Sequence, residues 1–268
     1  MAEQFKIIGV MRFSVLTPTY YSERFDSLNA IAAHLFSPER MALRFHLFEN
    51  LVLPSLLAQS DQGFELVILT AQSLPAPYMQ RLEQAISTAP NIRLSSVGPD
   101  KHYQLVKQAY HSFDVGDASH RVMFRLDDDD AVALNYIKRL RKLAEGLMRL
   151  QGKPRPQAIS FNRGFYVDMT GEKNEVFDAC ERAPLSTGTA LLAPVDYARN
   201  PYRYNHRQLA QHYNLYSDIS APAFVRTIHG DNKSTPTQMG LTHQLNKRSI
   251  SRQLLSHFGL SLADLQGL

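Results

Sequence analysis

Four consecutive carboxylates, Asp127-Asp128-Asp129-Asp130, stand directly behind the apolar stretch 121–126. Two like unit charges about 4 Å apart repel by roughly 4 kcal/mol at an effective dielectric of about 20, so such a run needs a counter-charge. A divalent cation supplies one: Mg2+ and Mn2+ take oxygen ligands, and Mg2+ commonly combines one or two protein carboxylates with substrate phosphates. If the run stays extended, alternate side chains share a face. Asp127 and Asp129 then lie on one side and Asp128 and Asp130 on the other, a D-x-D arrangement. Helix capping is the competing reading, since Asp130 precedes a helical stretch and acidic residues favour helix N-termini. Capping accounts for one or two of the four. Mutual repulsion also predicts that removing one aspartate costs no stability in the absence of metal.

Other nucleophile and phosphate signals are weak. Cys180 is the only cysteine, which excludes an internal disulfide and a cysteine zinc cluster. With no Cys-centred motif around it, it reads as an incidental thiol. No G-x-x-x-x-G-K-[ST] phosphate loop occurs.

The elements around the aspartates follow from periodicity and punctuation. Strands are expected at 10–16, 64–70, 92–97 and 121–126, and helices at 39–52, 75–87, 103–113 and 134–150. Ser37-Pro38 is a helix start, and Pro54 is expected to stop or kink that helix. Its Leu43, Leu47 and Leu51 recur at i, i+4 and i+8, a core-facing stripe, which reads as structural. The alternation predicts an α/β fold with a Rossmann-like, mostly parallel sheet flanked by helices. Ligands of such sheets bind at the carboxyl ends of the strands, where the aspartates fall. A polar connection at 151–156 precedes short strands at 158–161, 164–168 and 174–178, the last two joined as a hairpin through Thr170-Gly171-Glu172. A strand at 188–193, a short helix at 205–213, a strand at 224–228 ending at His229 and a helical tail at 249–265 follow. The second half therefore reads as a small antiparallel extension of the same sheet.

The 268 residues suffice for one large core, and 44% hydrophobic with 20% charged residues is a globular rather than a disordered balance. A net charge of +4 leans toward anionic partners. The basic stretch 138–142 reads as solvated or as facing anionic lipid or polymer, and no recognised nucleic-acid module occurs. No apolar run reaches the ~18 residues of a membrane span. The opening stretch, interrupted by Arg12, does not read as a secretory signal. The expected compartment is the cytoplasm, with peripheral attachment at the inner membrane face where the acceptor is membrane-bound.

The stretch Phe124-Arg125-Leu126-Asp127-Asp128-Asp129-Asp130-Ala131 resembles the D-x-D region of GT-A glycosyltransferases, and especially the bacterial putative rhamnosyltransferase family. Arg44-Phe45, Phe48-Glu49, Leu53-Pro54-Ser55-Leu56, Gln59, Phe64, Leu74-Pro75, Arg81-Leu82, Arg163-Gly164 and His229-Gly230-Asp231-Asn232 are similar to that family's pattern. The resemblance covers most of the chain. It implies a GT-A fold, a nucleotide-diphosphate-sugar donor and a divalent metal (Mn2+ or Mg2+). Asp127 and Asp129 would hold the metal, with Asp128, Asp130 and Arg125 lining the donor site. Ser14-Val15-Leu16-Thr17-Pro18-Thr19-Tyr20 is similar to the nucleotide-binding opening of many GT-A enzymes, which brings in Thr19. GT-A chains commonly continue with a Gly-containing strand, an acidic residue at a helix N-terminus, and a strand ending in a metal-binding His. Thr187–Leu192 and Phe224–His229 resemble the two strands, making His229 a third metal ligand; neutral imidazole is a competent one. His206 stands where the acidic base is expected, and imidazole can take a proton from an acceptor hydroxyl. Asp218 and Asp196 are the weaker candidates.

The expected unit is thus one GT-A-like domain over 1–268, with 1–150 binding the nucleotide-sugar and 151–268 facing the acceptor. The expected reaction is transfer of a sugar, rhamnose by the family's label, to a glycan or lipid-linked acceptor. Nucleotidyl or phosphoryl transfer, which also uses clustered carboxylates and metal, and non-catalytic glycan binding on the same fold are the alternatives.

Overall fold

Alternate residues of the first strand go to opposite faces of one sheet. Along β1 (Phe5–Phe13), Ile7, Met11 and Phe13 join one buried cluster and Ile8 and Val10 another; β2 (Glu65–Ala71) divides likewise, Leu66 and Ile68 against Val67 and Leu69. Strands apolar on both faces need cover on both, and helices provide it. The structure, a computed structural model, describes residues 5–19, 23–150, 154–232 and 234–268. Tyr20 of the opening motif and residues 151–153 of the expected connection lie outside the described residues.

The remaining strands are β3 (Ile92–Val97), β4 (His120–Asp127), β5 (Asp130–Val132), β6 (Gln157–Phe161), β7 (Arg163–Asp168), β8 (Glu175–Cys180), β9 (Ala190–Pro194), β10 (Asn214–Asp218), β11 (Phe224–Ile228) and β12 (Leu241–Thr242). Among the described residues they form a seven-stranded sheet, β10-β6-β9-β4-β1-β2-β3, and a five-stranded one, β12-β8-β7-β11-β5. In the large sheet only β9 runs against its neighbours, β4 and β6. The mostly parallel α/β expectation therefore holds. The second half does more than extend that sheet: β7 and β8 pair as the expected hairpin and join β11 and β5 in the second sheet.

One face of the large sheet is covered by α2 (Pro38–Leu47), α3 (Leu53–Leu57), α4 (Ala76–Ile86) and α6 (Tyr136–Leu150), and the other by α5 (His102–His111). Further helices are α1 (Leu28–Leu35), α7 (Lys247–Phe258) and α8 (Leu262–Gln266); Ile250, Leu254, Phe258 and Leu265 pack on Phe165, Val167 and Val225 of the second sheet. The expected single tail helix breaks at Gly259, which adopts φ 67° as a left-handed cap.

Pro54 does not stop the helix begun at Ser37-Pro38. Phe48–Val52 form a π-helical turn between α2 and α3, with the Leu53 N–H bonded to the Phe48 carbonyl. This wider turn lets the chain run on through Pro54, which takes an early position in α3 where its missing N–H is tolerated. Leu47 and Leu51 are buried as the stripe predicts, and Leu43 is half-buried. Leu47 is fully buried, so Leu47→Ala is expected to cost about 2–5 kcal/mol. Equilibrium denaturation checks this; an unchanged midpoint would show that the site collapses around the smaller side chain. Other differences are local. The first strand lies earlier than expected, at Phe5–Phe13, and the helix expected at 205–213 is a 3-10 turn, His206–Gln211.

Candidate active site

Strand β4 ends at Asp127, beside β1 in the middle of the large sheet, with Arg12 paired to Asp127 in the ladder. Asp128 and Asp129 form a turn, and Asp130 opens β5 in the second sheet. The acidic run is therefore where the chain crosses between sheets, not an extended segment with alternating faces. Asp130 does not cap a helix either, because α6 begins only at Tyr136.

The counter-charges are guanidinium groups. Asp127 accepts from Arg12 at 2.5 Å. Arg44 Nη1 lies 3.0 Å from Asp128 and 2.8 Å from Asp129, while its Nη2 reaches Asp231 at 3.0 Å. Arg226 Nε lies 3.2 Å from Asp130, which also accepts from the Thr187 hydroxyl. Arg40 sits 2.8 Å from Asp231. Arg40 and Arg44 are one helical turn apart on α2, so one face of that helix delivers both. The stretch after β11 closes the site: His229 Nε2 is 3.1 Å from Asp129, and the Asn232 amide donates to Asp129 at 3.0 Å.

Other residues of the quoted pattern turn out to support this arrangement. Gln59 is buried, donates to the Ala133 carbonyl at 2.7 Å and accepts from the Ile137 N–H at 3.0 Å. The Val132 N–H donates to Ser55 at 3.3 Å. Both fasten α3 to the chain leaving the aspartates. Glu49 and Arg81 form a bidentate pair at 2.7 Å, with the Arg81 guanidinium 4.3 Å from the Phe45 ring centroid. Gly188, at φ 67°, donates to the Arg125 carbonyl at 2.9 Å and sets Thr187 against Asp130.

Charge states follow from this packing. Burial alone raises a carboxyl, but at Asp127 the Arg12 and Arg125 guanidinium groups outweigh it, and at Asp129 Arg44 with bonds from His229 and Asn232 does the same; both are held well below the usual range. At Asp128 and Asp130 burial wins over Arg44 and Arg226, and both are raised.

A cavity of about 570 Å3 opens here, a size suited to a small-molecule ligand. Asp127, Asp128, Asp129, Arg125 and His206 line it, together with Arg12, Arg40, Arg44, Arg226, His102, Asp231 and Asn232. In all, seven arginines face five carboxylates, an environment that favours an anion. Asp130 and His229 lie behind this lining, each touching a residue that forms it. Thr19, expected at the donor site, is exposed and does not line the cavity; it accepts from the His102 N–H at 3.0 Å, while Thr17 and His102 line it. Asp218 is held by Arg139 at 2.8 Å, and neither it nor Asp196 lines the cavity. Of the cavity arginines only Arg125 was expected at the donor site; the others were missed, although a signal exists. Arg12, Arg125 and Arg226 each interrupt an apolar strand, and a charge in a buried strand requires a partner.

His102 and His206 share an unusual setting. Burial, followed by Arg12 and Arg125, lowers His102 to about 3; burial, followed by Arg125 and Arg226, lowers His206 to about 3. Both imidazoles are expected to stay neutral from about pH 5 to 8, read by imidazole 15N NMR. Midpoints near 6.5, the ordinary value, would contradict this. Because the native values lie below the unfolded one, the unfolded chain binds more protons as pH falls. These two groups therefore withdraw stability from about 6.5 down to about 3 and cost nothing above.

The residues can be tested against a divalent cation. Asp128 Oδ2 is buried with no hydrogen-bond partner, and Asp129 meets His229 at 3.1 Å. These groups suit a cation that takes one or two protein ligands and completes its shell with water and diphosphate oxygens. They do not suit a closed protein cage: among the described residues no three His, Cys, Asp or Glu side chains gather where they could hold a metal. Asp127, expected to share the ion with Asp129 and His229, is engaged by Arg12 instead.

No curated protein matches the chain. Among solved structures it is similar to TarS of S. aureus, at 12% identity over 84% of this chain and 37% of that one, TM-score 0.44. It is also similar to TarS residues 1–349 (13% identity, 83% and 60% covered, TM-score 0.43) and to the same segment in complex with UDP (12%, 84% and 61%, TM-score 0.41). The chain thus spans between 37% and 61% of the length of these structures. The model of the family described as "Putative rhamnosyl transferase" matches residues 6–241, and with the acidic run, the Arg44–Gln59 block and the His229–Asn232 closure all converging on one site, the chain belongs to that family.

Proposed function

We propose that this protein transfers a sugar from a nucleotide-diphosphate donor to an acceptor hydroxyl in the cavity at the end of β4. The observation that carries the reading is the convergence there of Asp127, Asp128 and Asp129 with seven arginines, in a chain of a glycosyltransferase family. The guanidinium groups would take the diphosphate, since forked donors match phosphate oxygens. Asp128 and Asp129 would hold a divalent cation, Mn2+ or Mg2+, with His229 supporting Asp129, and Asp127 would take part only on leaving Arg12. Such a cation offsets charge developing on a leaving diphosphate.

The remaining steps use the chain's own groups. The acceptor oxygen bonds to the anomeric carbon, the bond from that carbon to the diphosphate breaks, and the hydroxyl proton passes to His206. Lowered to about 3 by burial, then by Arg125 and Arg226, His206 is by itself a weak base. A diphosphate against Arg125 and Arg226 would offset the charges that add to the larger effect of burial. Residues 1–150 would then bind the donor and 151–268 present the acceptor, a glycan or lipid-linked hydroxyl, with rhamnose as the transferred sugar and attachment at the inner membrane face. Among the described residues no helix is long and apolar enough to cross a membrane.

The test is incubation with a panel of nucleotide-sugars and acceptors, beside melting curves with nucleoside diphosphates, UDP first, with and without Mn2+. Release of nucleoside diphosphate with a raised melting point supports the proposal. Release of pyrophosphate or a nucleoside monophosphate would replace it with nucleotidyl or phosphoryl transfer. Absence of turnover across the panel would favour glycan binding.

A further inference from the structure

Four buried arginines line the cavity, and three have a carboxylate within ion-pair distance: Arg40 has Asp231, Arg44 has Asp128, Asp129 and Asp231, and Arg226 has Asp130. Arg125 is the exception. It is only 8% exposed, its Nε has no acceptor, and among the described residues no carboxylate lies within ion-pair distance of its guanidinium, Asp127 acting on it only at longer range. What it does meet is an aromatic face: its Cζ lies 4.1 Å from the ring centroid of Tyr202, whose hydroxyl donates to the Val10 carbonyl at 3.3 Å. The backbone is pinned on both edges, by pairing with Val10 in β1 and by the Arg125 N–H to Thr189 carbonyl bond at 3.1 Å. A buried charge with no counter-ion in contact is costly, whereas a tyrosine face against a guanidinium supports its charge and leaves its edge donors available.

We infer that Arg125, held against Tyr202, is the seat for the incoming anion: the buried arginine left without a contact ion pair so that a diphosphate completes it. The inference rests on the donor reading above and adds which guanidinium reads the diphosphate and what positions it. It also separates two kinds of buried cavity arginine, those paired with aspartates and, among the described residues, the one kept for ligand.

The experiment uses the full chain and three probes: inorganic pyrophosphate, UDP and uridine. Calorimetric affinity and melting temperature are measured for wild type, Arg125→Met, Arg125→Lys and Tyr202→Leu. Wild type is expected to bind pyrophosphate and UDP far better than uridine. Arg125→Met should lose about tenfold to a hundredfold for both anions, the range of a charged hydrogen bond, while the ligand-free variant melts close to wild type because no contact ion pair is broken. Arg125→Lys and Tyr202→Leu should fall between, the first by losing the planar fork and the second by losing its support. Arg125→Met binding pyrophosphate within twofold of wild type overturns the inference, as does a sharply lowered melting point of the empty variant, which would mark a structural arginine. If Arg125→Met does not fold, unchanged affinity in both other variants overturns it equally. Wild type that binds pyrophosphate but not UDP keeps the anion seat and removes the nucleotide-sugar reading. Undiminished UDP binding in Arg125→Met removes the seat and keeps that reading.

Discussion

Arg44→Ala is expected to destabilise the protein by about 3–5 kcal/mol, the usual consequence of removing one partner from a buried ion pair. The reason is that Arg44 faces three carboxylates at once. Asp231 keeps Arg40 and Asp129 keeps His229, but Asp128 loses its ion-pair partner while remaining buried. The deficit should depend on pH with a definite sign. Without Arg44 the native-state affinities of Asp128 and Asp129 for protons rise, so the variant takes up protons on folding, and its deficit shrinks as pH falls from neutral. Urea denaturation at neutral and mildly acidic pH measures both effects. A loss under about 1 kcal/mol, the scale of an exposed pair, would mean that the carboxylates find other partners. Arg44→Lys should recover only part of the loss, because an ammonium group cannot span three carboxylates as a fork does.

Asp129→Ala is expected to lower turnover by about a hundredfold or more, the scale seen when a preorganised charge-stabilising group is removed, and to weaken Mn2+-dependent nucleoside-diphosphate binding. It should also lower stability. The repulsion argument predicts no such cost, but the Asp129 carboxylate meets Arg44, His229 and Asn232. Those partners outweigh burial and hold its pKa down. A carboxylate with a depressed native pKa adds stability above the ordinary carboxylate value and loses it as pH falls through the native one. The melting difference between wild type and Asp129→Ala should therefore be full at neutral pH and narrow in strong acid. Calorimetric titration with Mn2+ checks the binding half. Unchanged affinity there would detach Asp129 from the donor.

What could be read from the sequence was whatever lies local in the chain. Phe224–Ile228 is a strand where expected, because a buried, largely apolar stretch between turn residues marks itself. The aspartates fall at a strand end for the same reason. Strand β10 was invisible: Asn214–Asp218 is an edge strand with no fully buried residue, so it carries no apolar pattern. The pairing of charges was equally hidden. Arg44 and Asp231 are 187 positions apart, and a single sequence does not say which arginine meets which aspartate. Repulsion within the acidic run calls for a counter-charge, and the structure supplies it from Arg12 in β1, Arg44 in α2 and Arg226 in β11. The helix of the Arg44–Gln59 block, read as structural, proves to be both a core element and the source of one of those counter-charges.

The π-helical turn Phe48–Val52 makes the site sensitive to chain length at a distance. Each residue of an α-helix turns the axis by about 100°, and a π turn is in effect one residue inserted into a regular helix. Downstream of it, Gln59 and Ser55 are tied to Ala133, Ile137 and Val132; upstream, Arg40 and Arg44 reach the acids. Removing one residue from 48–52 would leave every side chain of the cavity in place in the sequence, yet rotate α2 against α3 by about that angle and sweep both guanidinium groups off their carboxylates. Related chains that share the acidic run should therefore show no gaps between Arg40 and Gln59, a constraint of phasing rather than of residue identity.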